Sequence, residues 1–438
     1  MQQTQQQATK TKYSSEKNES NSFAQIVFGN LRNAVLNSIK AILLSAVVLL
    51  GIEGIFAAAH IGEETVVKPD ALLGYTHMEN KSITYRQEGF SSSKTNKYGF
   101  RDREYPLAKA DGTTRIAVLG DSMTVGMEVP QDKTFCKLLE QRLNSDTKNR
   151  FEVMNCGFSG FGTGQEYLVY KQKVEQFHPD ILVVTYNYGD SDDNVFQRAG
   201  MNPPRPVFRD EQGVLKVDWQ DINKWYASND ARFYASFEWL RRNSRVLAVL
   251  NKLNLDLSNA DPLYQTISST VGKPIAYLWA QTLSFLPPAN SNLDSARSCF
   301  SSPTARTNSA TNDSVNYATA NEFQKIFLAN KSKTEVALSI FHALNNDCIK
   351  NNCKLVIAFG PALTNSMFYY RELNDISKQA DKESYSVIRA NQSFPPREPM
   401  EISPNFFGLH FSRAGHQIMS NAIYNGIFAS KSPEKRLP

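Results

Sequence analysis

The sequence lacks the features that identify several common classes of protein. It has five cysteines in 438 residues, and no cysteine spacing resembles a zinc site. The net charge of +5 is small for this length and gives no reason to expect nucleic-acid binding. No segment repeats along the chain. What is left is an ordinary folded composition, with 41% hydrophobic and 21% charged residues, for which we expect neither a metal nor a cofactor.

The cysteines themselves say little about the compartment. Cys348 and Cys353 are close in sequence and could pair in an oxidising environment. Cys136 and Cys156 lie within apolar patterns that are typical of core thiols. Because the count is odd and no framework is evident, disulfide content does not decide whether the chain is exported.

One hydrophobic run is long enough to cross a bilayer. It extends from Ala41 to Ala59 and contains one interior acid, Glu53. Basic residues precede the run, and Glu63 and Glu64 follow it, so the positive-inside rule places the N-terminus in the cytoplasm. We favour an uncleaved signal anchor in the cell membrane, with the main domain outside. A cleaved signal peptide and a buried core helix are the alternatives.

Composition divides the chain into segments. Residues 1–22 are polar and predict a disordered tail, and residues 287–333 predict a mobile loop. A hairpin is expected over 207–217 and a helix over 233–250. The predicted organisation is a cytoplasmic tail and juxtamembrane segment over 1–40, a membrane helix over 41–60, a polar irregular lead-in over 61–110, and a domain over 111–430 with an insertion over 195–333.

The domain over 111–430 shows an alternating α/β pattern. Apolar strands with little alternation are separated by amphipathic helices, which predicts a mostly parallel sheet covered on both faces. The predicted strands are 115–119, 151–154, 181–186 and 355–359, and a final helix carries Ile418, Ala422 and Ile427. We therefore expect a flavodoxin-like, three-layer α/β sandwich.

Four polar segments follow strands or precede the last helix of this pattern. They are Gly120-Asp121-Ser122, Asn155-Cys156-Gly157-Phe158-Ser159-Gly160, Asn187-Tyr188-Gly189-Asp190 and Gly408-Leu409-His410. In order and spacing this set resembles the SGNH/GDSL hydrolase superfamily. The segment from Asn96 to Glu104 resembles the lead-in of membrane-anchored bacterial members with a periplasmic catalytic domain.

The resemblance implies a role for each segment. Ser122 is the expected nucleophile, and its backbone N–H is one expected oxyanion donor. Gly160 supplies a second N–H, and His410 is the base that accepts the serine proton. Asp121 and Asp190 are expected to support the turns they lie in. His416, within the last helix, is expected to be structural.

Two positions depart from the family pattern. Gly189 stands where the family usually has an asparagine that donates to the oxyanion, and Asn187 is the candidate substitute. Phe407 stands where the family usually has the aspartate that orients the histidine. In a serine protease triad the comparable loss costs about 10⁴ in rate. The sequence thus leaves the identity of any third catalytic acid open.

The expected function follows from the resemblance and the predicted location. It is hydrolysis or transfer of an ester, with an O-acetyl group on an envelope or secreted polysaccharide as the favoured substrate. A degenerate domain that binds glycan or a protein partner without turnover is one alternative, and a lipid or small-ester hydrolase is another. The expected partners are the acylated carbohydrate or other ester, the membrane and envelope proteins.

Overall fold

The computed structural model describes residues 2–59, 61, 66–86, 88–197, 204–228, 231, 244–246, 249, 322–361, 367–394 and 410–428. The chain forms two compact units. One comprises residues 1–64 and 240–264, and the other comprises residues 65–239 and 265–438.

The first unit contains one long helix, α1 (Gln2–Ala59). Its part from Asn30 to Ala59 is long and apolar enough to cross a membrane, with a mean hydropathy of 2.3 in its most apolar stretch. Such a helix fits a membrane anchor or a signal sequence equally. The prediction of a disordered tail over 1–22 differs from the structure, in which the helix begins at Gln2. Good helix formers such as Gln, Lys, Glu and Ala are frequent there, and no Gly or Pro precedes Gly29.

The acid within this helix has partners in the same unit. Glu53 accepts hydrogen bonds from the hydroxyl of Ser244 at 2.8 Å and from the backbone N–H groups of Arg245 and Val246 at 2.6 and 3.1 Å. The carboxylate therefore satisfies N–H groups at the start of a helical segment. Most of the helix predicted over 233–250 lies outside the described residues.

The second unit is built on a five-stranded parallel sheet. Its strands run in the spatial order β11–β10–β7–β5–β6. This places the first strand of the sheet second from one edge, as in flavodoxin-like folds, and the order reverses between β5 and β7. The strands are β5 (Thr113–Leu119), β6 (Arg150–Asn155), β7 (Ile181–Tyr186), β10 (Lys354–Phe359) and β11 (Ser386–Ile388). The predicted fold class is confirmed.

Helices cover both faces of the sheet, because both faces of its strands are apolar. On one face Leu119, Leu182 and Ile357 pack with three helices in a single core cluster. These are α4 (Thr163–Val169), α7 (Glu322–Lys350) and α8 (Met367–Glu383). On the other face Val118 and Val183 pack with two helices. These are α3 (Phe135–Asp146) and α9 (Arg413–Ile427).

The lead-in predicted as irregular is instead two antiparallel hairpins. One pairs β1 (Val67–Asp70) with β2 (Gly74–His77), and the other pairs β3 (Ser82–Tyr85) with β4 (Ser91–Lys94). Polar residues such as Thr76, His77 and Thr95 are buried in them. The polar composition predicted an irregular segment, whereas in the structure these polar residues are buried within ordered hairpins.

The described parts of the insertion contain further elements. The hairpin predicted over 207–217 is present as β8 (Val207–Glu211) and β9 (Val214–Asp218). The insertion also contains the helix α6 (Gln220–Tyr226). Two short helices lie before it in the chain, α2 (Ser122–Val125) and α5 (Asp190–Val195). The mobile loop predicted over 287–333 overlaps α7, whose first residues are already helical from Glu322.

The two thiols considered for pairing lie at the end of α7 and just before β10. Cys348 and Cys353 are both buried and free, and the N–H of Cys353 donates to the carbonyl of Cys348 at 2.8 Å. Cys136 and Cys156 are also buried, which agrees with their expected place in the core.

Candidate active site

The nucleophile turn connects β5 to α2. Asp121 is the N-cap of α2, and its carboxylate accepts the N–H of Met123 at 2.9 Å, so Ser122 becomes the first helical residue. Gly120 is required by close packing. A Cβ at this position would lie 2.1 Å from the hydroxyl oxygens of both Thr124 and Thr185. The turn therefore holds Ser122 at the carboxyl edge of the sheet, where ligands bind in open α/β folds.

Ser122 and His410 meet although 288 residues separate them. The distance from Ser122 Oγ to His410 Nε2 is 2.9 Å, a hydrogen-bond length. His410 lies just before the N-cap of α9, Ser412, which accepts the N–H of Gly415 at 3.3 Å. A base at this distance can take the proton of the serine hydroxyl.

Two glutamates lie at the other nitrogen of the histidine. His410 Nδ1 is 2.5 Å from Glu88 Oε2 and 3.3 Å from Glu128 Oε1. Glu88 comes from the loop between β3 and β4, and Glu128 follows α2. With a proton on Nδ1 donated to this pair, the lone pair of Nε2 faces the serine hydroxyl. The carboxylate that Phe407 fails to provide is thus supplied from elsewhere in the chain, and Phe407 itself lies outside the described residues.

The two glutamates differ in how deeply they are buried. The side chain of Glu128 is only 2% exposed, against 21% for Glu88. Burial raises the pKa of Glu128 to about 7, against the lowering effect of His410. Burial alone would lower the pKa of His410, but the carboxylates of Glu128 and Glu88 outweigh it and raise that pKa. The two carboxylates therefore favour the protonated form of His410.

Sequence reasoning missed both acids. Glu128 is six residues beyond Ser122, and Glu88 lies in the lead-in; neither stands at a spacing that marks a catalytic carboxylate. The ligand atoms of Glu88, Glu128 and His410 lie within 4.8 Å of one another, so this set could also hold a metal ion. The same atoms are the ones that orient the imidazole.

Gly160 is held by two donors from outside its own turn. Its carbonyl accepts the hydroxyl of Tyr75 at 2.8 Å and the guanidinium of Arg205 at 3.2 Å. Tyr75 also contacts the carbonyl of Ser159 at 3.3 Å. The N–H of Gly160 and the carbonyl of Ser159 belong to one trans peptide, in which the two groups point in opposite directions. Since Tyr75 contacts this carbonyl, the N–H of Gly160 points away from Tyr75. The φ of Gly160 is 72°, a value that favours glycine.

A histidine of the lead-in fixes the same turn. His77 Nε2 accepts the N–H of Ser159 at 3.3 Å, and its Nδ1 is 3.3 Å from the carbonyl of Gly99. Complete burial lowers the pKa of His77 to about 4, so the ring is neutral near pH 7 and can accept this N–H. The turn is also tied to the nucleophile, since the N–H of Phe158 donates to Gly120 O at 2.9 Å.

Asn187 and Gly189 occupy the third loop differently. The amide of Asn187 donates to Asp121 Oδ1 at 3.1 Å, so it braces the nucleophile turn. Gly189 has a φ of 104° and precedes α5, and a Cβ there would meet nothing within 4 Å. Asp190 accepts the N–H of Asn187 at 2.7 Å.

The two aspartates of these turns are both deeply buried. Burial raises the pKa of Asp121 to about 6 and that of Asp190 well above its usual value.

The segment from Asn96 to Glu104 positions two of these turns. The guanidinium of Arg101 donates to the carbonyls of Val125, Gly126 and Val129 at 3.1, 2.7 and 2.8 Å. These carbonyls follow Ser122, at the end of α2. Asp102 accepts the N–H of Asn155 at 2.7 Å. The segment thus fixes the end of the nucleophile helix and the end of β6.

His416 has a packing role in the structure. It is fully buried, its Nδ1 accepts the N–H of Phe135 at 3.2 Å, and its ring stacks on that of Phe135. Burial lowers its pKa to about 3, so the ring stays neutral.

Comparison with known proteins finds remote structural similarities alone. No protein-family model and no curated protein matches the chain. Among solved structures, TesA is 8% identical, with 72% of this chain and 99% of that chain covered and a TM-score of 0.34. LAE5, an alpha/beta hydrolase enzyme from the metagenome of Lake Arreo, is 9% identical, covering 73% and 96%, with a TM-score of 0.35. A mutant of Axe2, an acetyl-xylooligosaccharide esterase from Geobacillus, is 9% identical, with 72% of this chain and 94% of that chain covered and a TM-score of 0.36. At this level no function can be transferred, and the chemistry has to be inferred from the site itself.

We expect Glu88 and Glu128 both to support His410, with the larger contribution from Glu88. Glu88→Gln should lower kcat more than Glu128→Gln, because Glu88 makes the shorter contact with His410. The double variant should approach a loss of roughly 10⁴, the effect of changing a triad acid to its amide. Steady-state kinetics on a small acetyl ester measure this, with the exposed Glu211→Gln as the matched control. A double variant as active as the parent would contradict the assignment.

The pH profile provides a separate test. His410 must be neutral to accept a proton, and its pKa is raised, so activity should fall on the acidic side with a midpoint above pH 6.5. Glu128→Gln removes a charge that raises this pKa, so the midpoint should move to lower pH. Because the groups are coupled, the midpoint belongs to the cluster. A midpoint that does not move in Glu128→Gln, measured from kcat/KM between pH 4 and 9, would argue against the contact.

Proposed function

We propose that this chain is a serine esterase or acyl transferase with a Ser122–His410–Glu88 triad assisted by Glu128. The observation that carries the proposal is the continuous relay from Ser122 Oγ to His410 Nε2 at 2.9 Å and from His410 Nδ1 to Glu88 at 2.5 Å. The relay lies beside β5 and β7, where the strand order reverses and ligand sites form.

The first half-reaction forms an acyl-enzyme. Ser122 Oγ attacks the carbonyl carbon of the ester while its proton passes to His410 Nε2. The imidazolium is stabilised by Glu88 and Glu128. The backbone N–H groups of Ser122 and Gly160 are the donors proposed for the oxyanion. Collapse of the tetrahedral intermediate breaks the bond to the alcohol oxygen, which leaves with the proton from His410.

The second half-reaction removes the acyl group. Water or a second alcohol attacks the acyl carbon and gives its proton to His410 Nε2. The bond to Ser122 Oγ then breaks, and the serine recovers the proton from His410. Water yields a free carboxylic acid, whereas an alcohol yields a new ester. Hydrolysis and transfer therefore differ only in which acceptor reaches the acyl-enzyme.

The proposed substrate is an acetyl ester of an envelope or secreted polysaccharide. Support comes from the resemblance of the four motif segments and from the apolar helix Asn30–Ala59, which would hold the domain at the outer face of the cell membrane.

A second candidate, a domain that binds without turnover, is favoured by one observation. Gly189 leaves open space where the family usually has a donor side chain.

The chemical test uses the purified full-length chain and 4-nitrophenyl acetate. We expect slow hydrolysis that Ser122→Ala abolishes, because Ser122 is hydrogen-bonded to the base His410. A fluorophosphonate should label Ser122, as mass spectrometry of the peptide would show. Ser145→Ala, an exposed helical serine, is the matched control. A folded protein with no serine-dependent turnover and no labelling would favour the binding domain.

Membrane orientation is tested with reporter fusions after residue 70. The basic flank before residue 41 and the acidic residues after 62 predict that this point lies outside the cytoplasm. A reporter that is active only outside should work there, and one that is active only in the cytoplasm should not. The opposite pattern would overturn the proposed topology.

A further inference from the structure

A cavity of about 250 Å³ lies next to the candidate active site. It is formed where α5, α7 and α8 meet the carboxyl edge of β7 and β10. Tyr369 forms part of its wall and donates to the carbonyls of Tyr186 and Gly360 at 3.2 Å each, which joins α8 to the ends of both strands. None of the residues of the triad lines this cavity.

The cavity and the nucleophile share one loop. Asn187 donates to Asp121, the residue before Ser122, and Tyr188 and Gly189 follow it directly and line the cavity. Since β7 pairs with both β5 and β10, the cavity is one strand away from the nucleophile turn. A molecule whose reacting group is at Ser122 can thus extend along the sheet edge towards the cavity.

The lining combines an exposed aromatic ring with hydrogen-bonding groups. Tyr188 is 42% exposed, and its ring meets that of Tyr369 edge-on at 5.6 Å. Ser191 donates to the carboxylate of Glu372 at 3.3 Å, and Thr334 approaches the same carboxylate at 3.5 Å. Burial raises the pKa of Glu372 to about 7. The Tyr186 hydroxyl also interacts with this carboxylate. The two oxygens of a carboxylate offer about four acceptor sites, so Glu372 keeps capacity for further donors.

This chemistry suits a sugar ring better than an acyl chain or an anion. The C–H face of a pyranose carries partial positive charge that complements the negative face of an aromatic ring. Its hydroxyl groups can donate to Glu372 and bond to the hydroxyls of Ser191 and Thr334. An acyl chain would meet buried polar groups without bonding them. An anion would meet Glu372 and Asp192, and the ammonium of Lys333 is already paired with Asp192.

We propose that this cavity is a carbohydrate subsite, in which Tyr188 is the platform for one pyranose ring and Glu372 bonds its hydroxyls, while the esterified sugar reacts at Ser122. The proposal rests on the proposed esterase function and extends it by naming the place where a sugar ring next to the esterified one binds. The subsite adds affinity for a glycan ester without taking part in the acyl transfer.

The first test compares two substrates. Tyr188→Ala should lower kcat/KM for acetylated xylotetraose at least ten-fold more than kcat/KM for 4-nitrophenyl acetate, which has no second ring. Tyr188→Phe keeps the platform and should retain most of that preference. The matched control is Tyr370→Ala, which removes an exposed tyrosine outside the cavity and should leave the ratio of the two constants unchanged. Serine-dependent turnover with a ratio unaltered in Tyr188→Ala would overturn the subsite and leave the esterase intact.

The second test does not depend on turnover. Calorimetry measures the binding of xylotetraose, cellotetraose and chitotetraose to the full-length Ser122→Ala chain. At least one should bind, and both Tyr188→Ala and Glu372→Ala should weaken it ten-fold or more, with melting temperatures recorded to verify folding. Lack of binding by all three sugars, or binding that the two substitutions leave unchanged, would overturn the proposal. The esterase proposal is tested separately: it is overturned if the chain shows no hydrolysis that depends on Ser122.

Discussion

The buried guanidinium of Arg101 is the constraint on which the site depends. A buried charge must be bonded, and this one is 1% exposed, with its partners the carbonyls at the end of the nucleophile helix. The lead-in therefore has to pack against α2 in one register. That register also brings Tyr75 and His77 to the turn of Gly160, and Glu88 to His410. A segment before the sheet thus completes a candidate site whose proposed nucleophile, base and oxyanion turn come from the α/β domain.

The fold was largely predictable because its signal is local. Buried strands such as 181–186 are continuous apolar runs, and the helices between them have one apolar face, so the parallel sheet follows from pattern alone. The hairpins of the lead-in were not predicted, because their sequence has no such local signal. Buried residues such as Thr95 and Asn96 look like surface residues in a sequence, since burial with a hydrogen-bond partner leaves no mark in hydropathy.

The site residues divide in the same way, into those that a local pattern predicts and those that depend on three-dimensional packing. Ser122 and His410 stand in turns that the strand–helix pattern locates, and parallel strands bring the ends of such turns to one edge. The acids at His410 Nδ1 depend on how a hairpin loop folds over that edge, which no spacing encodes. Asn187 shows a further limit. Its amide was considered as an oxyanion donor, whereas in the structure it donates to Asp121, and only the three-dimensional packing distinguishes the two roles.

Two glutamates around one imidazole behave differently from a single aspartate. Both cannot easily be charged side by side, and burial already raises the pKa of Glu128 to about 7. The neighbouring carboxylate of Glu88 also raises the pKa of Glu128. A positive charge on His410 acts in the other direction and lowers the pKa of Glu128, so the imidazolium and the charged carboxylate favour each other. An acid at position 407 is not needed in such an arrangement, because the two glutamates at His410 Nδ1 supply both orientation and charge.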